Sequence, residues 1–259
     1  MIRLDEQILR AYLRMEEAQR QRLWMERTWH PEHFDWVKRG GPPPMTETKC
    51  IRMEELDRLG FGESHYQRML EMESQAKSEL EALVEEHHLW VHFEQIPGFG
   101  KYLAGAFIAA GGDIQRTPRV SSFWKGMGLD VLPDGTVPRR IRGAKNVERK
   151  LPALPHVTRV GEQIRQQLLR TKGLGKEIYD REKARYREKY PDKAKMFAHK
   201  HGLRIAQKLL YACLWEKWRE AYGLPAPWPY AFDILNHDDT GRITIEDFYR
   251  KPVCVGNGG

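Results

Sequence analysis

The chain has 259 residues, of which 41% are hydrophobic and 31% are charged, and its formal net charge is +7. Hydrophobic content at this level supports a packed core and excludes a wholly disordered chain, and the length fits one large domain or two small ones. The positive charge favours polyanionic partners, of which nucleic acid is the first candidate. The three cysteines form no CxxC pair, so we expect neither a disulfide framework nor a cysteine zinc site.

The sequence shows no feature of a membrane protein. No apolar run approaches the ~20 residues that span a bilayer, and residues 1–6 lack the apolar stretch of a signal peptide. We therefore expect a cytoplasmic protein, associated with the nucleoid or with a ribonucleoprotein, that has no membrane contact and no cofactor.

The first 94 residues carry two helical patterns separated by a turn-rich loop. Apolar residues recur at steps of three and four in the first pattern, at Leu4, Ile8, Ala11, Met15, Ala18 and Met25. Gly40-Gly41-Pro42-Pro43-Pro44 interrupts it, and a second helical stretch follows over residues 64–94. We predict a long antiparallel helical hairpin, a coiled-coil arm over 1–94, whose helices also offer a homodimer contact.

The sequence predicts a compact helical domain over residues 95–223 and a carboxy-terminal extension over residues 224–259. Glycine and proline signals break the first part into short helices, and longer helices are expected over 161–171, 176–190 and 193–222. The one β-hairpin signal is Pro133-Asp134-Gly135-Thr136, between Val131 and Val137. The predicted fold class is therefore mainly α.

The segment Ile96-Pro97-Gly98-Phe99-Gly100-Lys101 joins two helical runs and has the pattern of a helix-hairpin-helix element. Gly98 and Gly100 tolerate positive φ and leave room for close approach, so the turn can expose backbone N–H groups at the start of the second helix. Lys101 adds a positive charge there. Contacts of this kind bind the phosphate backbone rather than a base sequence.

A cluster of cations downstream supports a nucleic-acid partner. Six basic residues crowd one segment against the single acid Glu148; they are Arg139, Arg140, Arg142, Lys145, Arg149 and Lys150. A second basic run, over residues 183–189, is interleaved with acids. An ordinary exposed helix face explains that second run equally well, so we give it less weight.

Several blocks between residues 96 and 222 share their order and spacing with a known group of proteins. They are Ile96-Pro97-Gly98-Phe99-Gly100, Gly112-Asp113-Ile114, Phe123-Trp124, Gly128-Leu129 with Pro133, Gly161 with Arg165 and Leu168-Leu169, and Ala206-Gln207-Lys208-Leu209-Leu210. With them the chain resembles the carboxy-terminal domain of the Piv/MooV group of DNA invertases and the related RNA-guided insertion-sequence transposases. A weaker similarity is to the Nop-domain ribonucleoproteins, and the two resemblances imply a DNA or RNA ligand.

The chain departs from that family at both catalytic elements. Members begin with a RuvC-like nuclease domain, whereas no run of strands in this sequence is long enough to build one. Their serine nucleophile stands in a Ser-Gly pair where this chain has Asp134-Gly135, and a carboxylate cannot replace the serine alkoxide in strand transfer. We therefore lean against an enzyme and expect no catalytic residue.

Other chemistry-bearing residues have simpler explanations. Ser121 and Ser122 are expected to cap a helix; His30, His33 and Cys50 have spacing unlike a zinc site, and no metal is expected. His199 and His201 are expected to meet phosphate or solvent. Residues 232–248 echo a calcium-binding loop, with Asn236, Asp238, Thr240 and Asp247 as its ligands, but a turn or short hairpin is the preferred interpretation because Thr240 is uncharged and Asp247 is short.

The leading hypothesis is a nucleic-acid-binding relative of the RNA-guided transposases that has the arm and the helix-hairpin-helix element without a catalytic centre. The residues expected to bind backbone are Gly98, Phe99, Gly100 and Lys101 and the six cations of 139–150. One alternative is a transposase or recombinase component that is active only with a nuclease domain from a partner chain. Another is a structural helical protein whose charge is incidental.

Overall fold

α-Helices make up most of the described residues, as predicted. The computed structural model describes residues 3–28, 58, 60, 63–130, 155–227 and 243–249. Within them lie eight α-helices and no strand, so the mainly α fold class is confirmed. The helices are α1 Leu4–Thr28, α2 Glu63–Glu85, α3 Trp90–Phe93, α4 Lys101–Gly111, α5 Val120–Gly126, α6 Pro155–Arg170, α7 Leu174–Lys189 and α8 Lys195–Ala221.

Helices α1 and α2 form the antiparallel pair that the periodicity predicts. Arg22 Nε donates to Glu73 Oε2 at 2.5 Å, and Arg14 pairs with Glu79, so the two helices run in opposite directions. Their inward residues, among them Ile8 and Leu80, are fully buried and belong to one core with the helices that follow. Because α4 packs against both α1 and α2, this end of the pair is part of the main body.

A continuous helix over residues 64–94 was expected, and this expectation is wrong. Helix α2 ends at Glu85, and a tight turn precedes α3. His87 causes the break: its backbone N–H donates to Val84 O at 3.1 Å, and its Nδ1 accepts from the Leu89 N–H at 3.2 Å. The ring turns inward and is buried, where Nε2 lies 2.9 Å from Asp5 Oδ1. Since Nδ1 accepts a hydrogen bond, Nε2 carries the proton and donates to the carboxylate.

Asp5 joins the start of α1 to the end of α8. Its carboxylate accepts from His87, from the Tyr222 hydroxyl at 2.7 Å and from Arg3 at 2.8 Å. Burial by itself would raise the pKa of Asp5, but the hydrogen bonds from His87 and Tyr222 outweigh burial, so the pKa lies below its usual value. The carboxylate is therefore ionised and fully bonded in the folded chain.

The centre of the core lies between α4 and α8. The Phe107 ring meets Tyr211 at 5.1 Å and Trp218 at 6.3 Å between centroids, and all three side chains are fully buried. Gly111 lets the indole approach, because a Cβ at this position would lie 2.6 Å from an atom of the Trp218 ring. Edge-on contacts between large rings add to the free energy gained by burying them.

Helices α6, α7 and α8 lie close to the ranges 161–171, 176–190 and 193–222 predicted from the sequence. Helices α7 and α8 form an antiparallel hairpin with a close approach at Gly202, where a Cβ would lie 2.6 Å from the Tyr179 carbonyl oxygen. Near this point the Tyr179 hydroxyl lies 2.7 Å from His199 Nδ1. The hairpin is thus held rigidly at its base.

Candidate nucleic-acid interface

The segment Ile96 to Phe99 forms a tight turn of the kind its sequence predicts. The Phe99 N–H donates to Ile96 O at 3.1 Å, with Pro97 and Gly98 between them. Gly98 has a φ of +82°, which side chains disfavour, and Pro97 supplies the fixed negative φ of the preceding position. Proline followed by a left-handed glycine is the arrangement of a type II turn.

Helix α4 begins directly after this turn, and no side chain of its N-cap bonds to its amino-terminal N–H groups. Gly100 is the N-cap, is exposed and provides no side-chain cap; its φ is −94°, so of the two glycines only Gly98 adopts the left-handed conformation. The first N–H groups of a helix have no partner within it, and they carry its positive dipole end. Phe99 is buried and its ring stacks on Phe93 at 5.8 Å, so its side chain anchors the turn in the core.

The end of α6 lies beside the turn and brings two cations with it. A Cβ at Gly98 would lie 2.6 Å from Thr171 Cγ2, so Thr171 is in contact with the turn. Arg170 and Lys172 flank Thr171; both are exposed, and neither pairs with an acid among the described residues. Lys172 has a φ of +52°, a conformation that costs a lysine about 1 kcal/mol or more. We call this surface, comprising Gly98, Gly100, Arg170 and Lys172, the bend site.

Lys101 lies at the bend, but an ion pair with an acid already neutralises its charge. Its ammonium group pairs with Glu85, the last residue of α2. The hydrogen bond that Lys101 donates to Glu85 and the charges of Glu85 and Glu81 raise the pKa of Lys101 against a smaller opposing effect of burial. A phosphate at the bend would therefore compete with Glu85 for this lysine.

A second group of cations lies where the described chain stops at residue 130. The Lys208 ammonium group sits 4.8 Å from the centroid of the Trp124 ring and has no ion-pair partner within the described part of the chain. Burial, and then the charge of Arg204, lower the pKa of Lys208 to about 8 against an opposing contribution from Asp130. Lys208 is therefore a half-buried cation with no counter-ion among the described residues.

Three of the sequence blocks that carry the family resemblance, those with Trp124, Leu129 and Arg165, meet the Lys208 block in the structure. Arg165 Nε donates to Gln207 Oε1 at 2.8 Å, and Gln207 Nε2 donates to the Gly161 carbonyl at 3.3 Å. Arg204 donates to the carbonyl oxygens of Leu129 and Asp130 at 2.5 and 2.6 Å. Three cations thus converge from α6 and α8, and the guanidinium groups of two of them are engaged in holding backbone and Gln207.

Several residues predicted from the sequence lie outside the described ranges. They are the six cations Arg139, Arg140, Arg142, Lys145, Arg149 and Lys150, together with Asp134, His30, His33 and Cys50. The β-hairpin signal over 132–141 falls there too, as does the part of the calcium-like loop before residue 243. In the part that is described, Ile245–Tyr249 is a 3-10 helix, and Asp247 Oδ2 accepts from the Thr244 N–H at 2.8 Å.

Other side chains expected to act at a helix start or a phosphate have structural roles. Helix α5 begins at Val120 with Arg119 as its N-cap, so Ser121 and Ser122 lie exposed in its first turn and do not cap it. His199 and His201 are half-buried; the Tyr179 hydroxyl lies 2.7 Å from His199 Nδ1, and the His201 ring packs on Tyr186 at 4.9 Å.

Among the described residues no three His, Cys, Asp or Glu side chains gather as metal ligands would. Within the same ranges, none of the helices combines the length and the apolar character needed to cross a bilayer. No family model, no curated protein and no solved structure matches the chain.

Arg170, Lys172 and Lys208 were not selected from the sequence as binding residues. Lys208 stands in one of the blocks that carry the family resemblance, which was its only signal. Arg170 and Lys172 flank the end of a predicted helix, but their nearness to the bend depends on how α6 packs against Gly98.

Proposed function

We propose that the protein binds the sugar-phosphate backbone of a nucleic acid at the bend site. The observation that carries this proposal is the exposed, uncapped start of α4 beside two exposed cations, Arg170 and Lys172, that have no acid partner in the described chain. N–H groups at a helix start and nearby cations together suit a phosphate. The family resemblance and the six cations over residues 139–150 favour the same ligand class.

The bend site supports backbone binding rather than base recognition. Its contacts would come from peptide N–H groups and from cations, which recognise phosphates in DNA and RNA alike. Lys101 is expected to contribute less than Arg170 or Lys172, because Glu85 already neutralises it. In the alternative hypothesis of a recombinase component, a partner chain supplies the strand-transfer chemistry.

The proposal is tested by measuring affinity for a labelled duplex against salt concentration, with DNA and RNA duplexes side by side. Each phosphate contact that is lost lowers the slope of log K against log salt by about 0.9 for DNA. Replacing Arg170 and Lys172 with alanine together should therefore reduce the slope by about 1.8 and weaken binding.

A matched control removes the same charge from the far part of the α1–α2 pair. Arg20 and Arg68 are exposed, and the Arg20→Ala, Arg68→Ala double variant should keep the wild-type slope. Affinity that is independent of salt, or an equal loss in both double variants, would contradict a bend-centred site.

A further inference from the structure

The end of the α7–α8 hairpin carries an unusual concentration of exposed apolar side chains. Tyr190, Met196 and Phe197 are 41%, 57% and 53% exposed, and they are three of the seven large hydrophobic residues that are exposed in the described chain. Every residue from 187 to 197 is exposed. We call the segment 186–201 the hairpin tip.

The hairpin tip is also basic, and its cations have no acid partners in the part of the chain that the structure describes. It holds five cations against two acids, Glu188 and Asp192. None of the five forms an ion pair with a described residue; they are Arg187, Lys189, Lys193, Lys195 and Lys200. The acids of α7 that do pair lie nearer its base, where Glu182 meets Arg181 and Arg185 and Asp180 meets Lys176. The charge of the tip therefore selects an anionic partner.

Aromatic rings run up one side of the tip. The Tyr190 ring lies 4.9 Å from Tyr186, and the Tyr186 ring lies 4.9 Å from His201. The Lys189 ammonium group sits 5.4 Å from the Tyr190 centroid, and Lys195 precedes Phe197 by two residues. A ring and a cation thus lie together at Tyr190, and a cation is close to Phe197 in the sequence.

We propose that the hairpin tip binds unpaired nucleotides, whose bases stack on Tyr190 and Phe197 while lysines contact the phosphates, an inference that rests on the proposed function. Only an unpaired base offers its face to a protein ring, because a duplex stacks its bases on one another. Proteins that bind single strands combine a basic surface with exposed aromatic side chains in this way.

The tip and the bend site lie at opposite ends of α7. This helix has 16 residues and is therefore about 24 Å long, a length that corresponds to about seven base pairs of duplex rise at 3.4 Å each. The arrangement fits a nucleic acid whose duplex part contacts the bend and whose single-stranded part reaches the tip.

The test compares the full-length wild-type chain with the Tyr190→Ala, Phe197→Ala double variant. The probes are oligothymidine and oligouridine of about 12 nucleotides and a blunt duplex of the same length. We expect the double variant to bind the single strands at least about tenfold more weakly and the duplex within about twofold of wild type. Unchanged single-strand affinity would overturn the proposal.

A matched control uses two apolar side chains of similar exposure on the α1–α2 pair. Leu13 and Met72 are 47% and 49% exposed, and the Leu13→Ala, Met72→Ala double variant should keep wild-type affinity for every probe. All four positions are exposed, so the folded content of each variant, followed by circular dichroism, should match wild type.

The remaining outcomes separate the possible occupants of the tip. Binding of the wild type to phosphatidylserine vesicles but not to single strands would assign the tip to a membrane and overturn the proposal. Self-association that the tip variant abolishes, again without single-strand binding, would assign it to a second copy of the chain and overturn it too. Salt-dependent duplex binding that requires Arg170 and Lys172, without a role for the rings, would refute this inference alone. No binding to any nucleic acid would refute both proposals.

Discussion

The two ends of α8 show what a single long helix can do in different surroundings. Toward its carboxy end, Tyr211, Leu214 and Trp218 are fully buried against α4 and its neighbours. At its amino end, Met196 and Phe197 are more than half exposed. Both ends carry large apolar side chains, so residue type alone does not place a side chain in the core. A large apolar side chain is buried only where another element of the fold packs over it.

The largest expected contrast is in stability. Trp218→Ala should lower the free energy of unfolding by about 3 to 5 kcal/mol, because it leaves a cavity beside Phe107 at the centre of the core. Phe197→Ala, at the other end of the same helix, should change it by no more than about 0.5 kcal/mol. Urea denaturation of both variants measures the difference, and similar losses at the two positions would show that the tip is packed.

The next largest effect on stability is expected at Gly202, where α8 passes from the hairpin tip to the core. Gly202→Ala should destabilise the chain by about 1 to 3 kcal/mol, because the added methyl group would push against the Tyr179 carbonyl and part α7 from α8. Gly126 is the last residue of α5, and a Cβ added to it would meet open space. Gly126→Ala should therefore be neutral or stabilising by up to about 1 kcal/mol. Equal effects in chemical denaturation would contradict the close approach of the two helices.

The smallest expected effect is the pH dependence of the free energy of unfolding that comes from Lys208, which lies between the two ends of α8. Its pKa in the folded chain is about 8, below the ordinary 10.5, so the folded state releases this proton first as the pH rises. The free energy of unfolding should therefore rise between about pH 8 and 10.5, by about 1 kcal/mol after allowance for solvent screening. Urea denaturation at pH 7, 8.5 and 10 measures the rise.

Two substitutions isolate the contribution of Lys208 from that of other titrating groups. Lys208→Met removes the charge and should abolish this rise while keeping the stability high at pH 7. Lys208→Arg keeps a charge that does not titrate in this range, so it should also abolish the rise but remain less stable than the methionine variant at pH 10. If the free energy of unfolding of the wild type is the same at all three pH values, Lys208 is well solvated.

Local patterns predicted the helices of the second half of the chain well. Apolar spacing and Gly/Pro signals placed α6, α7 and α8 to within a few residues at most boundaries, because these signals act within one or two helical turns. The type II turn at Pro97-Gly98 followed from the same local chemistry. The break after Glu85 could not be predicted, since it depends on the pairing of His87 with Asp5, 82 positions away.

The candidate surfaces were harder to predict than the helices, because charge in a sequence does not show which cations are already paired. Lys101 was predicted from the sequence to bind phosphate, but Glu85 neutralises its charge. The run over residues 183–189 received little weight because acids are interleaved with its cations. In the structure Glu182, which precedes the run, pairs with Arg185, whereas Arg187 and Lys189 have no acid partner in the described chain. Spatial pairing, which depends on packing, decides which charges remain for a ligand.

The hydrogen bond between Tyr222 and Asp5 has a consequence for how the chain is made. The two residues are 217 positions apart, so at ordinary synthesis rates the ribosome adds the tyrosine on the order of 10 to 40 s after the aspartate. During that interval the carboxylate lacks the phenol that completes its set of donors. Helix α1 therefore reaches its final bonding only with the end of α8, and the two must mature together.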